Sequence, residues 1–156
     1  MQRAAYVTEA QAHDDPQLPP LTQGLPDLHE ELGRASVQAW GIHDDDGRLV
    51  AAVRVAVLNG TACINRLFVA PDRQGNGLGS ALLAHAEEQL GDDVATVELF
   101  TGEHSTANLR LYRRVGYQET HRTSAGDYAL IHMKKVRGMV AEEQRRPRLQ
   151  CRRDVP

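Results

Sequence analysis

Apolar and polar positions alternate along the middle of this chain, and two segments on either side of a central strand repeat with helical spacing. Residues 36–43 read as a strand, Asp44-Asp45-Asp46-Gly47 as a tight turn, and 48–58 as a second strand with Val53, Val55 and Val57 on one face. Asn59-Gly60 is a strong two-residue hairpin signal, and 61–69 returns as a third strand. Residues 36–69 are therefore expected to form an antiparallel meander. A loop, Pro71-Asp72-Arg73-Gln74-Gly75-Asn76-Gly77, precedes a helix over 78–90, where Leu78, Leu82, Ala86 and Leu90 repeat every four residues beside Leu83. Residues 94–101 alternate as a strand. Ser105 is placed to cap a helix running to Val115, and Gly116 to stop it. Two short strands, 117–122 and 128–133, flank a turn at 124–127. Residues 1–27 read as irregular, punctuated by Pro16, Pro19, Pro20 and Pro26, with a short strand at 4–7 and a helix over 25–33 that has Asp27 near its start and Gly33 at its end. The order is meander, helix, strand, helix, strands: an α+β layout with a mixed, mainly antiparallel sheet flanked by helices.

At 156 residues the chain suits one domain with a real core, which needs neither metal nor disulfides to fold. Aromatic residues are only 4%, so that core must be built from Val, Leu, Ile and Ala. Charge divides the chain. Residues 1–136 hold twelve Lys and Arg against eighteen Asp and Glu, whereas 137–156 hold six Arg against three acidic residues. We therefore expect a single domain over 1–136 and a flexible Arg-rich tail over 137–156. The acidic body and the lack of aromatics among the tail arginines argue against nucleic-acid binding. Cys63 and Cys151 stand far apart with no CxxC, which argues against a zinc site or disulfide framework, and Cys63 sits in an apolar stretch that predicts burial. The first residues lack an apolar signal core, and the run 49–58 is interrupted by Arg54 and too short to span a bilayer, so a reduced, cytoplasmic protein off the membrane is the expectation.

The sharpest chemical signal is strand, then Gln74-Gly75-Asn76-Gly77-Leu78-Gly79-Ser80, then helix. Glycines at this junction let a ligand approach the backbone, and consecutive N–H groups at a helix start make an anion cradle. A Walker loop would need Lys after the glycines, but Ser80 and Ala81 follow Gly79. A dinucleotide fold would need GxGxxG within a βαβ unit, but the spacing here is Gly75-x-Gly77-x-Gly79 after a meander strand.

Leu67-Phe68-Val69 followed by this loop resembles the Q/R-x-x-G-x-G/A motif of the GCN5-related N-acetyltransferase (GNAT) family, and the resemblance covers residues 36–135. It implies acetyl-CoA as co-substrate, no metal, and an acyl-CoA N-acyltransferase fold. The pantetheine arm would bond the backbone of Leu67 and Val69, with Phe68 between them, and the pyrophosphate would lie on the amides of Gln74, Gly75, Asn76, Gly77, Leu78, Gly79 and Ser80. Arg73 stands beside that loop as a possible added charge. The segment Asn108-Leu109-Arg110-Leu111-Tyr112 resembles the family's N-x-x-x-Y helix, which makes Asn108 a cofactor contact and Tyr112 the acid that protonates the leaving thiolate. Asn108 and Tyr112 share a helix face, read here as pointing away from the core, with Leu111 and Val115 packing on the sheet.

Acetyl transfer to an amine also needs a base and a polarised carbonyl, the latter from the Val69 N–H. Strand 61–69 carries no Glu, and among Glu98, Glu103 and His104 we prefer Glu103 as base, because Thr101-Gly102-Glu103 ends a central strand beside the Asn108 helix. The reading is an N-acetyltransferase moving acetyl directly to a primary amine of a small molecule or peptide, in a ternary complex. The alternative is a non-catalytic acyl-CoA-binding sensor of the same fold. The acceptor would be chosen by residues 20–40 and 124–127, and homodimers are common in such proteins.

Overall fold

The structure is a computed structural model and describes residues 1–138. The Arg-rich tail lies outside the described residues but for Arg137 and Gly138. Six strands form one sheet: β1 (Val37–His43), β2 (Leu49–Leu58), β3 (Thr61–Val69), β4 (Thr96–Gly102), β5 (Gln118–Ala125) and β6 (Tyr128–Val136), in the order β1-β2-β3-β4-β6-β5. The meander is present as expected, with Asn59 and Gly60 both at positive φ in the turn between β2 and β3. Every pairing is antiparallel except β3 with β4, and that parallel step forces a crossover. Helix α4 (Leu78–Glu88) makes it, and α5 (Thr106–Arg114) follows β4.

One face of the sheet carries the core. Ala51, Val53 and Val55 of β2, Ile64 of β3, Val97 and Leu99 of β4 and Met133 of β6 pack against Leu82, Leu83 and Ala86 of α4 and Leu109 and Tyr112 of α5. These β2 residues lie two apart, as the side-chain period of a strand requires. Strand β5 lies at a sheet edge and is exposed along nearly all its length.

The N-terminal region corrects the sequence reading. Residues 2–13 are not irregular and contain no strand: they form helix α1 (Gln2–His13). No Gly or Pro interrupts the segment, and Ala4, Ala5, Ala10 and Ala12 are strong helix formers. Only Ala10 and His13 are buried, so the apolar periodicity that marks other helices is missing here. A left-handed Asp14 ends the helix, a short α2 (Pro19–Thr22) follows, and α3 (Leu25–Gly33) occupies its expected span.

Arg54 explains how this N-terminal layer is held. It projects from the face of β2 opposite the core and is only 4% exposed. Its guanidinium bonds Glu31 Oε2 of α3 at 2.8 Å, Gln2 Oε1 of α1 at 2.6 Å and Gln23 Oε1 at 3.3 Å. Burial lowers the Arg54 pKa, the Glu31 charge opposes that shift, and removing either partner strands the other. Arg54→Leu is therefore expected to cost about 3 kcal/mol in urea-induced unfolding, and Arg54→Leu with Glu31→Leu to recover most of it. Equal loss in the single and double variants would refute the coupling.

Candidate functional site

A bulge opens the sheet. Arg54 pairs with Arg66 and Val55 with Ile64, which leaves Asn65 as an extra residue on β3. Pairing between β3 and β4 stops at Ile64 opposite Leu99, so residues 65–69 have no strand partner on the β4 side. Ala70 N–H donates to Val50 O at 2.7 Å on the β2 side. Backbone groups of alternate residues face alternate neighbours, so Phe68 faces β2 with Ala70, and Leu67 and Val69 face the gap. Their carbonyls are already engaged: Tyr6 Oη donates to Leu67 O at 3.3 Å, and Gln74 Nε2 to Val69 O at 3.2 Å. Their N–H groups face the split.

The glycine loop leads from this edge to α4. Gly75 and Gly77 both have φ of 78°, a region that only glycine occupies at little cost, whereas Gly79 lies inside the first turn of α4 at negative φ. The three glycines therefore do different work, contrary to the uniform role read from the sequence. A Cβ at Gly79 would meet only Leu111 Cδ2 at 3.5 Å and Val69 Cγ2 at 3.6 Å, which is ordinary contact. The helical ladder begins with Ala81 N–H on Gly77 O, and no side chain caps the helix. The N–H groups of Leu78, Gly79 and Ser80 are left pointing out of the helix start, where the dipole is positive. Arg114 Nη2 donates to Ser80 Oγ at 3.0 Å and brings a further cation to this point. The charge of Arg73 is instead engaged by Asp44 at 3.5 Å and Asp72 at 3.7 Å.

Beneath the split lies a cavity of about 70 Å³ bordered by β3, β4, α1 and α5. Asn65, Leu67, Thr101, Asn108 and Tyr112 line it, and so do Tyr6, Glu9 and His13 of α1. The α1 residues fall at i, i+3 and i+7, one face of the helix, and α1 bridges both strands. At one end Tyr6 reaches Leu67 of β3. At the other, His104 N–H donates to His13 Nε2 at 3.1 Å, and His13 Nδ1 donates to Glu9 O at 2.9 Å. That pairing holds the imidazole in its Nδ1-protonated tautomer. The His13 ring lies against Gly102, where any Cβ would collide with it. Thr101 and Arg66 of this lining carry two buried polar atoms, Oγ1 and Nε, that have no hydrogen-bond partner among the described residues.

Tyr112 departs from the sequence reading in orientation. It is 6% exposed and packs in the core beside Leu109, while Leu111 and Val115 are only partly buried. It is both core residue and cavity wall. Burial raises its phenol far above the ordinary tyrosine value, and the charges of Tyr6 and Glu9 add to this, so at neutral pH it is a hydrogen-bond donor. Burial likewise pushes Tyr6 up to about 12. Burial raises the Glu9 carboxyl, and the Ser105 hydroxyl, which donates to Oε1 at 3.0 Å, partly offsets it.

The structure does not bring Glu103 to the cavity. Its Oε1 accepts the Ala129 N–H at 2.7 Å and its Oε2 lies 3.9 Å from Arg122, so the carboxylate is turned toward β5 and β6. Glu98 and His104 are likewise absent from the lining. Cys63 is half-buried rather than buried, and it is not a free thiol. Tyr6, Glu9 and His13 were missed because α1 was missed, and the one available signal was the unbroken run without Gly or Pro. No described helix is long and apolar enough to cross a membrane.

Comparison with known proteins bears on the family and the fold. Mycothiol acetyltransferase of Clavibacter sepedonicus is 40% identical over 79 residues, 49% of this chain and 25% of that protein. The chain spans between a quarter and about a third of the length of the curated relatives it matches. Among solved structures, the ribosomal-protein-S18-alanine N-acetyltransferase of Escherichia coli shares the fold with a TM-score of 0.68 at 22% identity, over 89% of this chain and 94% of that one. The PaiA N-acetyltransferase of Thermoplasma acidophilum, solved with coenzyme A, has a TM-score of 0.72 at 15% identity, over 86% and 88%. The acetyltransferase (GNAT) family itself matches residues 6–117, from the α1 face of the cavity through the glycine loop to the end of α5, and the chain belongs to that family.

Proposed function

We propose that this chain transfers acetyl from acetyl-CoA directly to a primary amine, with Tyr112 as the general acid. The observation that carries the reading is the split between β3 and β4. It leaves the N–H groups of Leu67 and Val69 without a strand partner on the β4 side, with Leu67 and Tyr112 lining one cavity and the uncapped start of α4 one loop further on. An extended pantetheine arm would take the missing strand's place there, which is how a peptide-like ligand completes a sheet edge. The amides of Gln74 to Ser80 would hold its pyrophosphate, with Arg114 adding charge, and Asn108 would contact the arm from α5. The acetyl donor supplies an activated thioester. Val69 N–H would polarise its carbonyl, and the Tyr112 phenol, protonated in its buried site, would hand a proton to the sulfur that leaves. The acceptor remains a class: an amine small or slender enough to enter between α1 and the split. The panel to be screened therefore holds both small-molecule amines and peptides.

Calorimetry should show one acetyl-CoA bound per chain, and failure of both CoA and acetyl-CoA to bind would remove the enzyme reading. Gly79→Ala should keep the thermal midpoint of the parent, since the added Cβ finds only ordinary contacts, yet weaken CoA binding about tenfold, ~1.4 kcal/mol, by crowding the cradle. With polyamines, amino acids, aminoglycosides and peptides as acceptors and free thiol as the readout, Tyr112→Phe should lower kcat about 100-fold with CoA affinity unchanged. An unaltered kcat would exclude Tyr112 as the acid.

A further inference from the structure

We infer that Glu9 of α1, held by Ser105, binds the acceptor as an ammonium and takes the proton that makes it a nucleophile. The inference rests on the acetyltransferase reading above and assigns its missing base to a residue outside the segments that resemble the family motif.

Three observations converge on Glu9. It lines the same cavity as Tyr112, and its charge adds to the burial that keeps the Tyr112 phenol protonated. A carboxylate and a protonated phenol in one pocket supply the proton acceptor and the proton donor that the transfer needs. Next, Ser105 occupies the N-cap of α5 yet makes no cap bond. Its hydroxyl donates instead to Glu9 Oε1 at 3.0 Å, giving up the cap bond to its own helix. A capping residue diverted to a carboxylate on another helix positions that carboxylate. Finally, Thr101 and Arg66 line the same cavity and carry buried polar atoms, Oγ1 and Nε, with no hydrogen-bond partner among the described residues.

The groups facing Glu9 set its behaviour. His13 and Tyr6 share its helix, Arg66 faces it from β3, the Gly102 backbone from β4, and Tyr112 and Ser105 from α5. Burial lifts its carboxyl toward the working range of a base, while the Ser105 hydroxyl, the Gly102 backbone and the Arg66 charge keep it ionisable. The proton balance closes. Glu9 takes one proton from R–NH3⁺, the neutral nitrogen forms the C–N bond as C–S breaks, and Tyr112 protonates the sulfur. Tyr112 is restored by the second proton released from nitrogen, and Glu9 releases its own to solvent.

The test uses acetyl-CoA and n-butylamine, an unhindered primary amine with no second recognition group. The parent should acetylate it, with an acid limb in kcat/KM. Glu9→Gln should bind CoA as the parent does, bind n-butylammonium to the CoA complex at least tenfold more weakly by calorimetry, and lose the acid limb along with about 100-fold in kcat/KM. Ser105→Ala removes a bond that favours the charged carboxylate, so its acid limb should move to higher pH with CoA affinity unchanged. A Glu9→Gln protein that keeps the parent's pH profile and ammonium affinity would overturn the role of Glu9. A parent that binds acetyl-CoA but leaves n-butylamine untouched would overturn the assignment of this cavity to amines. A parent that binds no CoA would instead overturn the acetyltransferase reading.

Discussion

A strand can satisfy two neighbours along its whole length only if both run in register with it, and β3 does not. One extra residue, Asn65, turns its last four residues away from β4. The rest of the site follows from that break. Unpaired backbone N–H groups inside a sheet are costly unless something bonds them, so a bulge placed mid-sheet is a demand for a partner. Here the protein meets half the demand itself, through Tyr6 and Gln74 on the two carbonyls, and leaves the N–H side open. The glycine loop continues the same logic. Positive φ at Gly75 and Gly77 aims the chain so that α4 starts with its free amides beside the split.

The second element is the covering helix. Because α1 spans from Leu67 to Gly102, it roofs the gap and adds side chains that a bare sheet could not. Its attachment is polar rather than apolar: Arg54 with Glu31, Gln2 and Gln23 on one side, His13 with His104 and Glu9 with Ser105 on the other. Polar attachment specifies geometry, because each bond has a length and direction, whereas apolar burial tolerates sliding. A helix that must place a carboxylate within reach of a reacting nitrogen is served by the former.

Most of the architecture was legible from residue order. The alternation in 48–58, the Asn59-Gly60 turn and the four-residue repeat of leucines in α4 each express a local period, and local periods survive into the fold whenever one face is buried. The anion cradle was legible for the same reason, since a loop opening a helix is a contiguous feature. Helix α1 was not, because it buries little apolar surface and so shows little periodicity.

By itself, then, the sequence determined the elements from Val37 onward, the glycine junction and the pairing of Asn108 with Tyr112 on one turn of helix, all set by neighbours within a few positions of one another. Only the tertiary structure decided that Asn65 would be the extra residue, that Tyr112 would face inward, that Ser105 would leave its own helix for Glu9, and that Glu103 would turn toward β6. Each of these joins segments tens of residues apart. Which partner wins such a contest depends on how the sheet and α1 pack, and no local pattern encodes that.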